Sequence, residues 1–155
     1  MRDYRDADQD GVLAVLRDLQ AHELAIYDRT RPPETMGAWY IDRLKQATAE
    51  GRGRILVAER EGMIVGYAAI LSCVSAEDER DEIPHTYAHV DDLGVLASCR
   101  SQGVGAALLA ACEADARQAG QRWIRLGVLA ANERARSFYA RQGYGDVLIT
   151  VEKKL

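Results

Sequence analysis

Residues 99–109 read CRSQGVGAALL and join a strand-like segment to an alanine-rich helical one. The stretch contains Arg100, Gly103 and Gly105, and no acidic residue follows it before Glu113. The start of a helix presents unpaired amide groups and the positive end of the helix dipole, and glycine lacks the Cβ atom that would keep an anion away. The pattern predicts a phosphate-binding turn, although a single G-x-G is also typical of a plain strand-to-helix connection.

Two better-known phosphate motifs do not match this turn. A P-loop requires G-K-[ST], which the sequence lacks. A dinucleotide fingerprint requires a third small residue at a fixed offset directly after a strand, and Leu108 occupies that offset. The anion at this turn is therefore expected to belong to a different class of ligand.

The hydrophobic periodicity around the turn predicts one mixed α/β domain over residues 1–155. Helical spacing of apolar residues indicates helices, and short apolar or alternating runs indicate strands, with a two-residue "EG" hairpin at 61–62. Helices are predicted over residues 11–27, 36–51, 105–120 and 132–144. Strands are predicted near residues 3–7 and over residues 54–60, 63–74, 86–96, 122–129 and 146–155.

Composition excludes several function classes. The 155 residues carry 20 Lys and Arg against 24 Asp and Glu, a net charge of −4, and no long basic stripe, so we expect no nucleic-acid partner. Three widely spaced cysteines and three histidines predict no metal site and reduced thiols. Because no apolar run approaches ~18 residues and no signal region opens the chain, we expect a cytoplasmic protein without a membrane partner.

Two blocks together resemble the GCN5-related N-acetyltransferase (GNAT) family. The first, DDLGVLASCRSQGVGAALL at 91–109, contains the family's R/Q-x-x-G-x-G/A signature. The second, RLGVLAANERARSFYARQGY at 125–144, contains its A-x-x-F-Y-x-x-x-G-[FY] pattern after an asparagine. The resemblance covers the C-terminal half, and the N-terminal half agrees in element order. It implies a single mixed, mostly antiparallel sheet, flanked by helices and splayed at the central strand.

The resemblance implies acetyl-CoA as co-substrate and assigns it a set of residues. The pyrophosphate would lie on Arg100, Ser101, Gln102, Gly103, Val104, Gly105 and Ala106. The pantetheine arm would run along Leu93, Gly94 and Val95, where Gly94 replaces the larger residue expected. Asn132 would contact the arm or only cap the following helix.

The same resemblance assigns the chemistry of amine acetylation. Tyr139 would protonate the departing thiolate, and the Val95 amide would stabilise the oxyanion. Asp91 is the first candidate for the base that deprotonates the amine, and His89 is the second. Two alternatives stay open: His89 as a half-buried core residue, and deprotonation through water.

Strand alternation supports that choice of base. It places His89, Asp91 and Leu93 on one face of the strand, with Val90, Asp92 and Gly94 on the other. On this pattern Asp92 is interpreted as a solvated or capping carboxylate.

The acceptor would lie against the first two helices and the loop before the central strand. Five acidic residues among residues 77–82 could gather a cationic amine, although a solvated loop explains them equally. Tyr27, Trp39 and Tyr40 are candidates for the pocket or for the core.

The sequence thus predicts an acetyl-CoA-dependent N-acetyltransferase that acts on a small cationic amine. The alternatives are a catalytically silent acyl-CoA-binding module and an enzyme that acetylates a protein amine. The resemblance also makes a homodimer possible.

Overall fold

The helices and strands follow one another nearly as the sequence predicts. The structure is a computed structural model that describes residues 1–76, 83 and 85–154. Its strands are β1 (Arg2–Asp3), β2 (Arg54–Arg60), β3 (Met63–Ser75), β4 (Thr86–Val95) and β5 (Ile124–Leu126). Its helices are α1 (Gln9–Leu24), α2 (Ala38–Glu50), α3 (Val104–Gln118) and α4 (Glu133–Arg141).

One sheet joins the strands in the order β1-β2-β3-β4-β5. The first three pairings are antiparallel, and β4 pairs with β5 in parallel. The predicted hairpin is confirmed: Glu61 and Gly62 have φ of 51° and 79°, as a two-residue turn that matches the twist of its strands requires. The sheet is therefore mixed and mostly antiparallel, as expected.

Helices cover both faces of this sheet. Helices α1 and α2 pack on one face, where Val12, Val15, Leu16, Ile41 and Leu44 are buried against Tyr67. Helix α3 packs on the other face through Leu108, Cys112 and Ala116, a stripe at helical spacing. Cys112 is fully buried in this stripe and is therefore a core residue, and its burial raises the pKa of the thiol to about 12.

The sheet opens at the end of β4. Pairing between β4 and β5 runs from Ala88↔Ile124 to Val90↔Leu126, whereas β4 itself continues to Val95. The predicted strand over 122–129 is thus too long, because β5 ends at Leu126. Beyond Leu126 the outer edge of β4 faces a gap, which is the splayed central strand that the family resemblance implied.

The predicted last strand is wrong for residues 146–154. These residues lie outside every helix and strand, and residue 155 lies outside the described residues. Four large apolar side chains of the segment are exposed, Val147, Leu148, Ile149 and Val151. A segment with strand propensity forms a strand only where a neighbouring strand provides hydrogen bonds. Within the described chain, residues 146–154 have no such neighbour.

Candidate active site

The turn before α3 has the shape of an anion cradle. Gly103 is the N-cap of α3 and has φ of 83°, and Ser101 has φ of 61°. A left-handed conformation at the cap favours glycine, and no atom lies within 4 Å of the position that a Gly103 Cβ would take. Gly103, Gly105 and Ala106 line a cavity, so the start of α3 faces an accessible surface.

Arg100 anchors this turn to the rest of the protein. Its Nε donates to the Val95 carbonyl at 2.9 Å, and its Nη2 donates to Asp18 Oδ2 at 2.6 Å. The same Asp18 oxygen accepts the Ala97 amide at 2.9 Å. Arg100 is thus engaged with α1 and with the end of β4.

Sequence reasoning missed a second arginine at the turn. Arg134, at the start of α4, donates from Nη2 to Ser101 Oγ at 3.3 Å. The sequence signal was the location of Arg134 two residues after Asn132, which caps α4 by accepting the Ala135 amide at 3.1 Å. That cap directs the first turn of α4 toward the turn before α3.

A cavity of about 340 Å³ opens between this turn, β4 and α4. Most of the predicted cofactor residues line it: Leu93, Val95, Arg100, Ser101, Gly103, Gly105, Ala106, Asn132 and Tyr139. The sequence did not assign several other lining residues: Leu19, His22, Arg134, Phe138, Arg141 and Gln142. Gly94, Gln102 and Val104 do not line it, because Gly94 packs against Tyr67 and Gln102 accepts from Arg60 on the surface.

Two backbone amides of β4 point into the gap beyond β5. The Leu96 amide donates to the Val65 carbonyl at 3.0 Å, and hydrogen bonds alternate along an antiparallel pair. The amides of Leu93 and Val95 therefore face away from β3 and toward the cavity. This orientation suits the predicted oxyanion role of the Val95 amide.

A second cavity, of about 230 Å³, adjoins the first on the side of α1 and α2. The two cavities share Leu19, Leu93, Asn132, Ala135 and Tyr139. Tyr139 thus lies at their junction. Burial, followed by the charges of Asp92 and Glu23, raises the pKa of Tyr139 to about 12, so this phenol holds its proton at neutral pH.

A β-bulge at Asp91 changes which side chains face this second cavity. Asp92 pairs with Ala69 and Val90 pairs with Ile70, so Asp91 is an extra residue in the ladder. One extra residue reverses the alternation. Leu93 therefore packs with Val90 on the α3 side, and the predicted grouping of Leu93 with His89 and Asp91 is wrong.

Asp92 is the most strongly held carboxylate of the site. Its Oδ2 accepts the hydroxyl protons of Tyr40 at 2.8 Å and of Tyr67 at 2.7 Å. Burial raises its pKa, the two hydroxyl bonds oppose that rise, and the charge of Asp91 adds to it. The interpretation of Asp92 as a solvated or capping carboxylate is wrong, because the bulge turns it toward the tyrosines.

The two residues predicted as the base lie in different surroundings. Asp91 lines the second cavity, and its carboxylate pairs with Arg43 at 3.0 Å. His89 is half-buried beside Tyr87, lines neither cavity, and has a pKa lowered mainly by burial. The structure brings Asp91 to Tyr139 in one cavity and leaves His89 outside it.

Helices α1 and α2 complete the second cavity. Glu23 of α1 lines it, and burial and the charge of Asp92 raise the Glu23 pKa. Of the three predicted aromatic residues, Tyr40 lines the cavity, whereas Tyr27 does not and Trp39 is partly exposed on the surface. The predicted acidic stretch, residues 77–82, lies outside the described residues.

The amino-acid sequence matches a known family. A model of the Acetyltransferase (GNAT) family matches residues 15–144. The chain belongs to the GNAT family. Uncharacterized N-acetyltransferases of Mycobacterium tuberculosis (Rv2669) and Mycobacterium bovis (Mb2688) are each 32% identical to it over 102 residues, 66% of this chain. The aligned stretch spans 59% of the length of those relatives.

Solved structures show the same fold. A mutant of the BH1408 protein from Bacillus halodurans has a TM-score of 0.86 at 23% identity, over 99% of this chain and 98% of that one. Aminoglycoside 6'-N-acetyltransferase AAC(6')-IG from Acinetobacter haemolyticus has a TM-score of 0.70 at 14% identity, over 99% and 97%. Chaetomium thermophilum Naa20 with a bisubstrate analogue has a TM-score of 0.65 at 22% identity, over 91% and 68%.

The described residues contain neither a membrane-spanning helix nor a metal-binding cluster. Across residues 1–76, 83 and 85–154, no helix is long and apolar enough to cross a membrane. The same part of the chain holds no cluster of three or more His, Cys, Asp or Glu side chains arranged for a metal ion.

Proposed function

We propose that this GNAT protein transfers the acetyl group of acetyl-CoA to a primary amine of a small cationic molecule. The observation that carries the proposal is the pair of adjoining cavities that meet at Tyr139. One contains a helix-start turn suited to phosphates, and the other contains carboxylates suited to an ammonium group. A group-transfer reaction requires such a junction, because donor and acceptor must come within reach of each other.

The residues of the first cavity fit the chemistry of acetyl-CoA. The amides at the start of α3 and the guanidinium of Arg134 suit a diphosphate, and Arg141 adds charge at the rim. The outward amides of Leu93 and Val95 suit the polar pantetheine arm, which would extend into the gap beyond β5. GNAT proteins generally use acetyl-CoA, and the turn supplies the corresponding groups here.

The second cavity supports a cationic acceptor. Its lining includes Asp91, Asp92 and Glu23, and the mutual repulsion of buried carboxylates is relieved by a bound cation. Gln20 also lines it, and the Gln20 Oε1 is buried with no hydrogen-bond donor in the described part of the chain. Carboxylates and a carbonyl oxygen are acceptors, and an ammonium group is a donor.

Asp92 is the base that this geometry favours, in preference to Asp91 or His89. An acceptor ammonium must lose a proton before its nitrogen can attack the thioester carbon. Asp92 would take that proton, since its raised pKa brings it closer to neutrality than an ordinary carboxylate. Asp91 is engaged with Arg43, and His89 lies outside both cavities.

Tyr139 and the Val95 amide complete the transfer. The Val95 amide would donate to the oxygen that becomes negative when the amine adds to the acetyl carbon. When the carbon–sulfur bond breaks, the Tyr139 hydroxyl would protonate the departing thiolate. The nitrogen of the adduct would lose its second proton, which returns to the tyrosinate through solvent, and the amide product would form. The placement of Tyr139 at the junction of the two cavities, with Asp92 lining the second one, favours this enzyme over a silent acyl-CoA-binding module.

Calorimetry with coenzyme A and a thiol-release assay with a panel of cationic amines test the proposal. We expect binding of coenzyme A, and thiol release with at least one small amine. Tyr139→Phe should slow turnover on the order of 10²-fold at unchanged affinity for coenzyme A. Tyr144→Phe is the matched control, because Tyr144 donates to Glu113 away from both cavities.

Two outcomes would contradict the proposal in different ways. Absence of coenzyme A binding removes the donor assignment. Binding without turnover on any small amine, but with turnover on a peptide N-terminus or a lysine side chain, leaves the donor site standing and replaces the acceptor class.

A further inference from the structure

We propose that Arg43 of α2 is a positioning residue that acts on Asp92 through the Tyr40 hydroxyl, and that it thereby sets the pH range in which Asp92 accepts the proton of the amine. The proposal rests on the proposed function, since it takes Asp92 as the base. Arg43 lines neither of the two cavities, so it would act without touching the donor or the acceptor.

A path of hydrogen bonds joins Arg43 to both carboxylates at the bulge of β4. The Arg43 Nη2 donates to Asp91 Oδ2 at 3.0 Å and to the Tyr40 hydroxyl oxygen at 3.2 Å. The Tyr40 hydroxyl in turn donates to Asp92 Oδ2 at 2.8 Å. One nitrogen of Arg43 therefore contacts one carboxylate directly and reaches the neighbouring carboxylate through a single hydroxyl group.

The helix α2 holds Arg43 and Tyr40 together. The two residues are three positions apart, so their side chains lie on the same face of the helix. The guanidinium carbon of Arg43 lies 4.7 Å from the centroid of the Tyr40 ring, within the range of a cation–π contact. Because the Arg43 side chain is 43% exposed, these contacts, and not burial, keep the guanidinium beside the hydroxyl.

The direction of the hydrogen bonds determines how Arg43 affects Asp92. Burial, followed by the charge of Asp92 and the hydrogen bond to it, raises the pKa of Tyr40, so the phenol keeps its proton and donates it to the carboxylate. A hydroxyl that accepts from a guanidinium is polarised and becomes a stronger donor. Both this stronger bond and the Arg43 charge favour the ionised carboxylate. Arg43 thus opposes the rise in the Asp92 pKa that burial causes.

The other groups around Asp92 make the contribution of Arg43 significant. Within the described chain, ionisable groups face Asp92 from α1, α2, α4 and both central strands: Glu23, Tyr40, Arg43, Tyr139, Tyr67 and Asp91. The charge of Asp91 raises the pKa of Asp92, and the charge of Arg43 lowers it. Removal of Arg43 would also release Asp91 from its ion pair, so both consequences favour the protonated form of Asp92.

Carbon-13 NMR titration of the Asp92 carboxyl group, assigned by the loss of its signal in Asp92→Asn, tests this influence without any substrate. We expect Arg43→Gln to raise the pKa of Asp92 by about half a pH unit or more, and Arg43→Lys, which keeps the charge, to raise it less. Lys45→Gln is the matched control and should leave Asp92 unchanged, because Lys45 lies on the same helix and pairs with Asp6. Circular dichroism checks that each variant is folded.

The pH profile of kcat/KM connects the titration to catalysis. In Arg43→Gln the rising limb of the profile should move to higher pH by the same amount as the titration of Asp92. A profile that stays in place while the titration moves overturns the proposal, because Arg43 would then act on a group that is not the base. A chain that turns over no amine refutes the proposed function, and the titration then still decides whether Arg43 acts on Asp92.

Tyr40→Phe tests whether the effect passes through the hydroxyl. This variant keeps the ring beside the Arg43 guanidinium and removes the bridge to Asp92. We expect Arg43→Gln to shift the Asp92 titration less in the Tyr40→Phe background than in the wild type, because the effects of residues in one hydrogen-bond network are not additive. Equal shifts in both backgrounds would mean that Arg43 acts by its charge alone, and the absence of a shift would mean that it does not act on Asp92. Either result overturns the proposal.

Discussion

Tyr67 on β3 donates its hydroxyl proton to Asp92 Oδ2 on β4 at 2.7 Å. The two residues are diagonal neighbours, since Tyr67 pairs with Gly94 and Asp92 pairs with Ala69. Tyr67 is fully buried, whereas Asp92 lines the second cavity. The core thus fixes one oxygen of a carboxylate that lies at the wall of this cavity. Tyr40 donates to the same oxygen from α2.

Replacement of Asp92 tests its role as the base. Asp92→Asn keeps an oxygen that can accept both tyrosine hydroxyls and removes the ability to take a proton. We expect kcat to fall on the order of 10²-fold or more, and the Kd of coenzyme A to stay unchanged in calorimetry. The matched control is Asp91→Asn, one residue along the same strand, with a smaller expected loss. A larger loss in Asp91→Asn would instead support Asp91.

The raised pKa of Asp92 has a consequence for stability, whose sign follows from proton linkage. In the folded state its pKa lies above the ordinary carboxyl value, so between the two values the folded chain holds more protons than the unfolded one. Stability from this group therefore decreases as the pH rises through that window. At neutral pH the buried charge destabilises the fold relative to an uncharged side chain.

Thermal unfolding of the Asp92→Asn variant measures this effect. Relative to the wild type, the Tm of the variant should be highest at neutral pH, and the difference should shrink as the pH falls toward the ordinary carboxyl pKa of about 4. The kcat/KM of the wild type should rise with pH over the same window, because a base must be deprotonated to act. A Tm difference that grows as the pH falls would contradict the pKa direction.

The sequence predicted the parts of the site that depend on local rules. Gly103 was predicted at the turn, and its φ of 83° is a requirement that a single residue type reveals. Asn132 was predicted as a helix cap, and its side chain accepts the Ala135 amide. Tyr139 was predicted as a site residue from the A-x-x-F-Y-x-x-x-G-[FY] motif, whose spacing determines the face of α4 on which the tyrosine lies. Each of these depends on few residues close in the chain.

Other features depend on contacts that spacing cannot show. The bulge at Asp91 inserts one residue into the ladder, and strict alternation then assigns Asp92 and Leu93 to the wrong faces. Arg134 reaches Ser101 through the packing of α4 against the turn. Residues 146–154 have strand propensity but no neighbouring strand in the described chain. Contacts between distant parts of the chain, and not local propensity, determine these three features.

Replacement of Arg134 tests its proposed contact with the phosphates. Arg134→Gln removes a charge 3.3 Å from Ser101 Oγ. Loss of one charge-assisted hydrogen bond costs about 1.5–3 kcal/mol, so the Kd of coenzyme A should rise about tenfold or more, with kcat at saturation unchanged. The control Arg117→Gln removes an equally charged side chain from an exposed position on α3. An equal rise in both variants would indicate a general charge effect.

Replacement of Gly94 tests whether this residue serves the packing of the core or the binding of the cofactor. An added Cβ would lie 2.9 Å from Tyr67 Cε1 and 3.1 Å from Val15 Cγ1, so Gly94→Ala must displace the ring that bonds to Asp92. Overpacking of this kind costs about 1–3 kcal/mol. We expect a lower Tm and a lower kcat, with little change in the Kd of coenzyme A, because Gly94 does not line the first cavity, where coenzyme A is proposed to bind.

The control for this variant is Gly145→Ala, where no atom lies within 4 Å of the added Cβ and both quantities should stay at the wild-type values. A rise in the Kd of coenzyme A at unchanged Tm in Gly94→Ala would mean that the missing Cβ makes room for the pantetheine arm. That outcome would restore Gly94 to the cofactor site and remove the link between its small size and the orientation of Tyr67.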